Sequence, residues 1–184
     1  MLNKKIEDIC NRQIEREGYS SNLYLSMAVW AETTGLSGIA AWMYAQSGEE
    51  RLHMLKFIKY VNERGGKSVI PSFRQPPAEF ESVEAVFREV LKHEEFITAS
   101  INEIVALTLD EKDFNTHNFL QWFVMEQVEE EASVKKDILS KVGAQAVSFR
   151  VDPSILGGLV IKVGDKVLDG SVAGKLEGLR QNLK

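Results

Sequence analysis

Cysteine is almost missing from this chain: Cys10 stands alone among 184 residues. No intrachain disulfide can form, no thiolate cluster can hold a metal, and a reducing compartment is compatible with the sequence. No segment approaches about 18 uninterrupted apolar residues, and Met1-Leu2-Asn3-Lys4-Lys5 leads into no apolar run, so neither a membrane span nor a secretory leader is expected. Basic residues are the minority, 22 against 27 acidic ones, for a net charge of −5. With no basic cluster and no stacking motif, nucleic acid is not an expected partner; cations suit such a surface better. These absences together predict a cytoplasmic protein. Proline is scarce too, and Pro71, Pro76 and Pro77 fall close together, which leaves long stretches on either side free to be helical.

What remains, 44% hydrophobic and 27% charged residues, fits one ordinary domain with a small appendage. A first helical pattern runs from residue 4 to 33 and stops at Thr33-Thr34-Gly35; a second runs from about Ser37 to Arg64 and is closed by Gly65-Gly66. Lys67 to Glu81 holds the three clustered prolines and has no helical period, so it reads as a loop long enough to carry the chain back along a bundle. Ser82 is a good N-cap for a third helix ending near Leu109, and Asp113 or Asn115 opens a fourth that continues to about Val142. Four helices of similar length with one long crossover form an all-α, four-helix bundle in which the second and third helices run parallel.

Each helix carries an anomaly on its apolar stripe. Cys10, Gln13, Glu17, Ser20, Tyr24, Met27, Ala31 recur at helical spacing in the first; Met43, Gln46, Glu50, His53, Phe57, Tyr60 in the second. Phe87, Val90, Glu94, Ile97, Ile101, Ile104, Thr108 form the third stripe, and Leu120, Phe123, Gln127, Glu130, Val134, Ile138 the fourth. Glu17, Glu50, Glu94 and Glu130 thus stand where hydrocarbon belongs, and no Lys or Arg shares the stripes to neutralise them. Burying an ionised carboxylate without a partner costs several kcal/mol or more, and a metal cation is the simplest compensation. Glu50-x-x-His53 has metal-ligand spacing, matched across the bundle by Gln127-x-x-Glu130.

After Val142 the pattern changes. Leu159-Val160-Ile161-Lys162-Val163 reads as a strand, Gly164-Asp165 as a turn, Lys166-Val167-Leu168 as its hairpin partner, and Ser171 as the cap of a short helix through Val172, Leu176, Leu179 and Leu183. Residues 143–184 are therefore expected to form a β-β-α tail beside a bundle of residues 1–142.

Glu17, the run Tyr19-Ser20-Ser21-Asn22-Leu23-Tyr24, Glu49-Glu50-x-x-His53, Lys92-His93-Glu94, Asn118-Phe119-Leu120-Gln121-Trp122 and Glu126-Gln127-x-Glu129-Glu130 closely resemble bacterial non-haem ferritins over residues 1 to about 141. Val151 to Ser171 looks instead like the C-terminal end of the ATP synthase delta subunit, so the chain reads as a fusion or chimera, and the short fifth helix usual in ferritins is missing.

The first resemblance implies an iron-storage ferroxidase. Glu17, Glu50 and His53 would hold one iron; Glu50, Glu94 and Glu130, with Gln127 nearby, would hold the second, Glu50 bridging. A third iron carries over to Glu49, Glu126, Glu129 and Glu130, and Tyr24 becomes a redox-active neighbour or, equally, packing with its hydroxyl on a carboxylate. Carboxylate and imidazole donors suit Fe(II). The implied chemistry is oxidation of paired Fe(II) by dioxygen or peroxide, with storage as ferric mineral in a cage of 24 subunits. Neutral Gln127 lowers the negative charge and favours release of Fe(III) over permanent retention. No haem is expected, since Leu52 replaces the bacterioferritin methionine and the second Glu-x-x-His is absent.

Plainer readings compete. Glu126, Glu129 and Glu131 also suit a solvated charged face; His93 and His117 suit the surface or a place beside the ligands, and Cys10 a small core position. A di-iron oxidoreductase without storage, or a scaffold whose tail docks a partner protein, would use the same bundle.

Overall fold

The computed structural model describes residues 2–142, with side chains through residue 134, and the backbone of residues 160–163 and 166–169. Four helices account for nearly all of it: α1 (Lys4–Thr33), α2 (Ser37–Glu63), α3 (Val83–Asp110) and α4 (Phe114–Val142). Their ends lie where the capping chemistry puts them. The Asn3 side chain accepts the Lys5 N–H at 2.9 Å and Ser82 Oγ accepts that of Ala85 at 3.1 Å. Of the two candidate openers of α4, Asp113 does the work, accepting the Thr116 N–H at 3.1 Å. Gly35 and Gly65 take left-handed φ of 81° and 75°, and past them Leu36 and Gly66 return N–H bonds to Ala31 and Val61.

Terminal contacts fix the topology. The start of α1 meets the end of α2, where Leu2 N–H donates to Arg64 O at 3.0 Å, and also the end of α3, where Asn3 donates to Glu111 at 2.7 Å. Since α2 and α3 both finish beside the start of α1, they run parallel to each other and antiparallel to α1. Arg64 also pairs with Asp113 at 3.2 Å, which brings the start of α4 to the same end.

Joining two parallel helices requires the chain to travel the length of the bundle, and the segment between α2 and α3 does so along α1. Asn11 accepts the Val69 N–H at 2.7 Å, Phe73 lies over Gly18, Arg74 over the Tyr19 ring, Ser26 donates to Pro77 O, and Phe80 packs edge-on against Trp30. At the midpoint the absence of a side chain matters: a Cβ on Gly18 would sit 2.4 Å from the Phe73 ring and 2.9 Å from Met54 Sδ.

The bundle interior holds two hydrocarbon clusters. One, at the end where α1 begins, gathers Ile6, Ile14, Phe57, Ile101, Ile104 and Phe123; the other gathers Leu23, Met27, Ile39, Met43, Phe87 and Val134. Between them lies a polar level. The expected stripes are buried apart from Tyr60 and Glu130, which are half-buried, and Ile138, whose side chain is outside the described set. Among the described residues no helix is long and apolar enough to cross a membrane. Strands β1 (Val160–Val163) and β2 (Lys166–Asp169) pair antiparallel; the expected turn at Gly164-Asp165 and the short helix from Ser171 lie outside the described residues.

Gly18→Ala should gain about 1 kcal/mol of helix propensity and lose it again to the clash, which evicts Phe73 from its seat. The expected result is no rise in thermal midpoint and faster proteolysis of the crossover segment. A stabilised variant with unchanged proteolysis would contradict this packing.

Candidate metal site

The polar level is built by helical spacing. α1 supplies Gln13, Glu17, Ser20 and Tyr24, α2 supplies Gln46, Glu50 and His53, α3 supplies Glu94, and α4 supplies Gln127 and Glu130. Residues three, four or seven apart share a helix face, so each helix turns its set toward the bundle axis. Glu17, Glu50 and Glu94 are each only 1% exposed.

Ligating atoms of Glu17, Glu50 and His53 all lie within 4.8 Å of one another, and this is the one such trio among the described residues. His53 Nδ1 is 3.7 Å from Glu50 Oε1, while the imidazole is held edge-on between Trp122 and Phe123. Neighbouring groups steady the carboxylates. Ser100 donates to Gln13 Oε1 at 2.6 Å, and Gln13 in turn donates to Glu17 Oε1 at 2.7 Å. The Tyr24 hydroxyl donates to Glu94 Oε1 at 2.5 Å, Gln127 Nε2 to Glu94 Oε2 at 3.2 Å, and Gln46 Nε2 to Glu130 Oε2 at 3.2 Å. Two carboxylate oxygens remain buried with no hydrogen-bond donor: Glu17 Oε2 and Glu50 Oε2. No lysine or arginine among the described residues pairs with Glu17, Glu50 or Glu94.

Electrostatics follow from that imbalance. Burial, then the neighbouring Glu50 carboxylate, drives the Glu17 pKa well above the usual carboxylate range. Burial and the Glu94 charge do the same to Glu50. Burial also raises Glu94, opposed by the hydrogen bonds from Tyr24 and Gln127. Glu130, nearer the surface, is raised to about 7 by burial, then by Glu94 and Glu49. Each of these acids thus holds its proton more tightly than a free carboxyl, and a cation entering the site competes with protons.

The structure thus brings Glu17, Glu50 and His53 together and sets Glu94, Gln127 and Glu130 beside them. The acids read as a third group are more open: Glu49 and Glu129 are exposed, Glu126 is half-buried, and Glu49 lies near enough to Glu130 to raise its pKa. Near Glu126 the Lys56 ammonium sits over the Trp122 ring.

Of the two places expected for His93, the surface or beside the ligands, the structure takes the second. The side chain is 8% exposed, its Nε2 lies 2.7 Å from Ser20 Oγ, and burial followed by the Arg74 charge lowers its pKa to about 4. Spacing alone could not choose between them, because a residue beside Glu94 projects off the central stripe, toward the seam between α1 and α3. Ser100 and Thr98, which contact Gln13 and Gln127, were missed. Gln13, Ser20 and Gln46 did carry a signal, being polar residues at stripe positions.

Residues 7–141 match the family model of the ferritin-like domain, and residues 127–183 match that of the ATP synthase delta (OSCP) subunit. A bacterial non-heme ferritin of Campylobacter jejuni is 44% identical over 132 residues, 72% of this chain and 79% of that protein. One from Bacteroides fragilis is 36% identical over 151 residues, 81% of this chain and 95% of that protein. Among solved structures, an open-pore ferritin from Archaeoglobus fulgidus superposes with a TM-score of 0.75 at 44% identity, covering 76% of this chain and 86% of that one.

The raised Glu130 pKa makes a signed prediction. Below about pH 4.5 folded and unfolded chains both hold this proton; above that the unfolded chain releases it first, so its contribution is lost as pH rises through about 7. Glu130→Gln should leave the iron-free protein with a higher thermal midpoint than wild type at about pH 8 and little difference at about pH 5. Parallel profiles for the two proteins would contradict the assigned environment.

Proposed function

This chain belongs to the ferritin-like family, and from that premise we propose that it is an iron-storage ferroxidase of the bacterial non-haem type. It oxidises Fe(II) with dioxygen at a paired-iron centre and keeps the product as ferric mineral inside a shell of 24 copies. The observation that carries this reading is the buried carboxylate set with unpartnered oxygens on Glu17 and Glu50 beside the His53 ring and, among the described residues, no cationic side chain to balance them.

Glu17, Glu50 and His53 hold the first ferrous ion; Glu50, Glu94 and Glu130, with Gln127 alongside, hold the second, and Glu50 lies between them. The Gln13 amide fixes one Glu17 oxygen and leaves the other for metal. Tyr24 and Gln127 orient Glu94 in the same manner. Each ion gives up one electron, so one dioxygen receives two together, and the protons displaced from the carboxyls are available where oxygen is reduced. A neutral amide at Gln127 keeps the donor set from holding the product as tightly as another carboxylate would, which favours passage of Fe(III) onward. Glu49, Glu126 and Glu129, with Glu130, form the third iron site on that route.

The site belongs to the bundle of residues 1–142, since α4 ends at Val142 and the ferritin-like match at 141. We assign residues 143–184 to a separate tail. A cytoplasmic location suits both the chemistry and the lone thiol.

Anaerobic addition of Fe(II) followed by air, with particle mass and iron-to-protein ratio measured afterwards, tests the proposal. Rapid oxidation, retained iron and a mass near 24 chains are expected, and Glu50→Ala should slow oxidation at least about tenfold. Equal rates in the two proteins, or oxidised iron that stays outside the particle, would overturn it.

A further inference from the structure

Between α3 and α4 lies a cavity of about 330 Å³, walled by Ile101, Val124, Val128 and Ala132, with Thr98, Asn102 and Glu131 as polar lining. Gln127 completes that lining, and its Nε2 donates to Glu94 Oε2 at 3.2 Å. Glu94 is not itself part of the lining, so this one amide stands between the cavity and a carboxylate of the paired-iron site. We propose that the cavity is the port through which dioxygen reaches the Glu94 side of the site, with the Gln127 side chain as its movable door.

Two contrasts point to this role. The first is between two amides of the polar level. Gln13 is gripped at both ends, accepting from Ser100 at 2.6 Å and donating to Glu17 at 2.7 Å. Gln127 Nε2 spreads its two hydrogens over three acceptors, Glu94 Oε2 at 3.2 Å, Thr98 Oγ1 at 3.3 Å and the Glu94 carbonyl at 3.4 Å. Bonds that long and shared in this way are weak, so turning the amide aside costs little, and doing so joins the cavity to Glu94. The second contrast is between the two faces of α4. Acids suited to a cation face α2: Glu126 lies near Lys56, and Glu130 accepts from Gln46. Hydrocarbon walls face α3. A ferrous ion on that side would shed its water among side chains that cannot replace it, and an anion would meet Glu131, which is near enough to Glu94 to raise its pKa. A neutral apolar diatomic suffers neither penalty, and apolar cavities take up small apolar molecules such as xenon. Metal and oxidant then approach from opposite sides of α4, and dioxygen arrives where the ions are already held.

This inference rests on the ferroxidase reading, and its test separates the two. Full-length wild type, Val124→Phe, Val128→Phe and Thr98→Ala are compared in three measurements. Crystals of the iron-free proteins are pressurised with xenon, ferrous affinity is titrated without oxygen, and iron oxidation is followed at varied dioxygen. Xenon should sit against Val124 and Val128 in wild type and be missing from Val124→Phe and Val128→Phe. Each of these two variants should raise the KM for dioxygen by about tenfold, the least that one added apolar group does in a pocket. Ferrous affinity and the rate extrapolated to high dioxygen should stay as in wild type. Thr98→Ala, which frees Gln127 of one acceptor and widens the cavity, should lower that KM. A merely structural disturbance would not move the KM in opposite directions at constant ferrous affinity. No xenon in the wild-type cavity, an unchanged KM in both filled variants, or ferrous affinity that falls with the KM would overturn the proposal while the ferroxidase reading stood. Val128 is 67% exposed, so Val128→Phe carries the same decision if Val124→Phe does not fold. Wild type that takes up no ferrous iron would overturn both.

Discussion

Three carboxylates packed into one hydrocarbon interior repel one another and resist desolvation, and the rest of the molecule is arranged around that conflict. Glu17, Glu50 and Glu94 are almost completely buried, and each has its proton held tighter by burial and by a neighbouring acid. A protein interior built for stability alone would replace them with leucines at a gain. Their retention at one level of four helices is intelligible when the missing charge arrives from solution as a metal ion.

Such a level can exist because the hydrocarbon on either side holds the helices in register. One apolar cluster lies toward the start of α1 and the other toward its end, and the acids occupy the interval between them. The amides of Gln13, Gln46 and Gln127 each donate to one oxygen of Glu17, Glu130 and Glu94 respectively, Ser100 steadies Gln13, and Glu17 Oε2 and Glu50 Oε2 are left open. The crossover segment pressed along α1, seated by Phe73 at Gly18, allows α2 and α3 to run parallel so that their acids meet at the same height.

Much of this was legible in the residues. Helical period marked the four stripes and their polar interruptions, and the capping residues Ser82, Gly35 and Gly65 put the helix ends within about a residue of where they lie. Asp113 and Asn115 could not be separated in advance, since both are good caps and the choice depends on the Arg64 and Thr116 contacts that only the folded bundle supplies. Glu130 proved half-buried because it lies at the edge of its stripe, and burial with Glu94 and Glu49 nearby raises its pKa to about 7. His93, one residue off the axis-facing position, could be placed only at the surface or beside the ligands, and the Ser20 contact that decides between these forms when α1 and α3 are brought together. Which donors would sit closest was also beyond spacing: the tight trio is Glu17, Glu50 and His53, while Glu94 is drawn aside by Tyr24.

The central claim is that protons occupy these carboxyls until iron takes their place. It is tested most directly by adding ferrous ions to the iron-free protein at constant pH near 7 without oxygen, and measuring the base needed to hold that pH. The account predicts proton release that tracks site occupancy and stops when the paired positions are filled. Iron binding without proton release, or release that continues unsaturated with iron bound only at the surface, would contradict it.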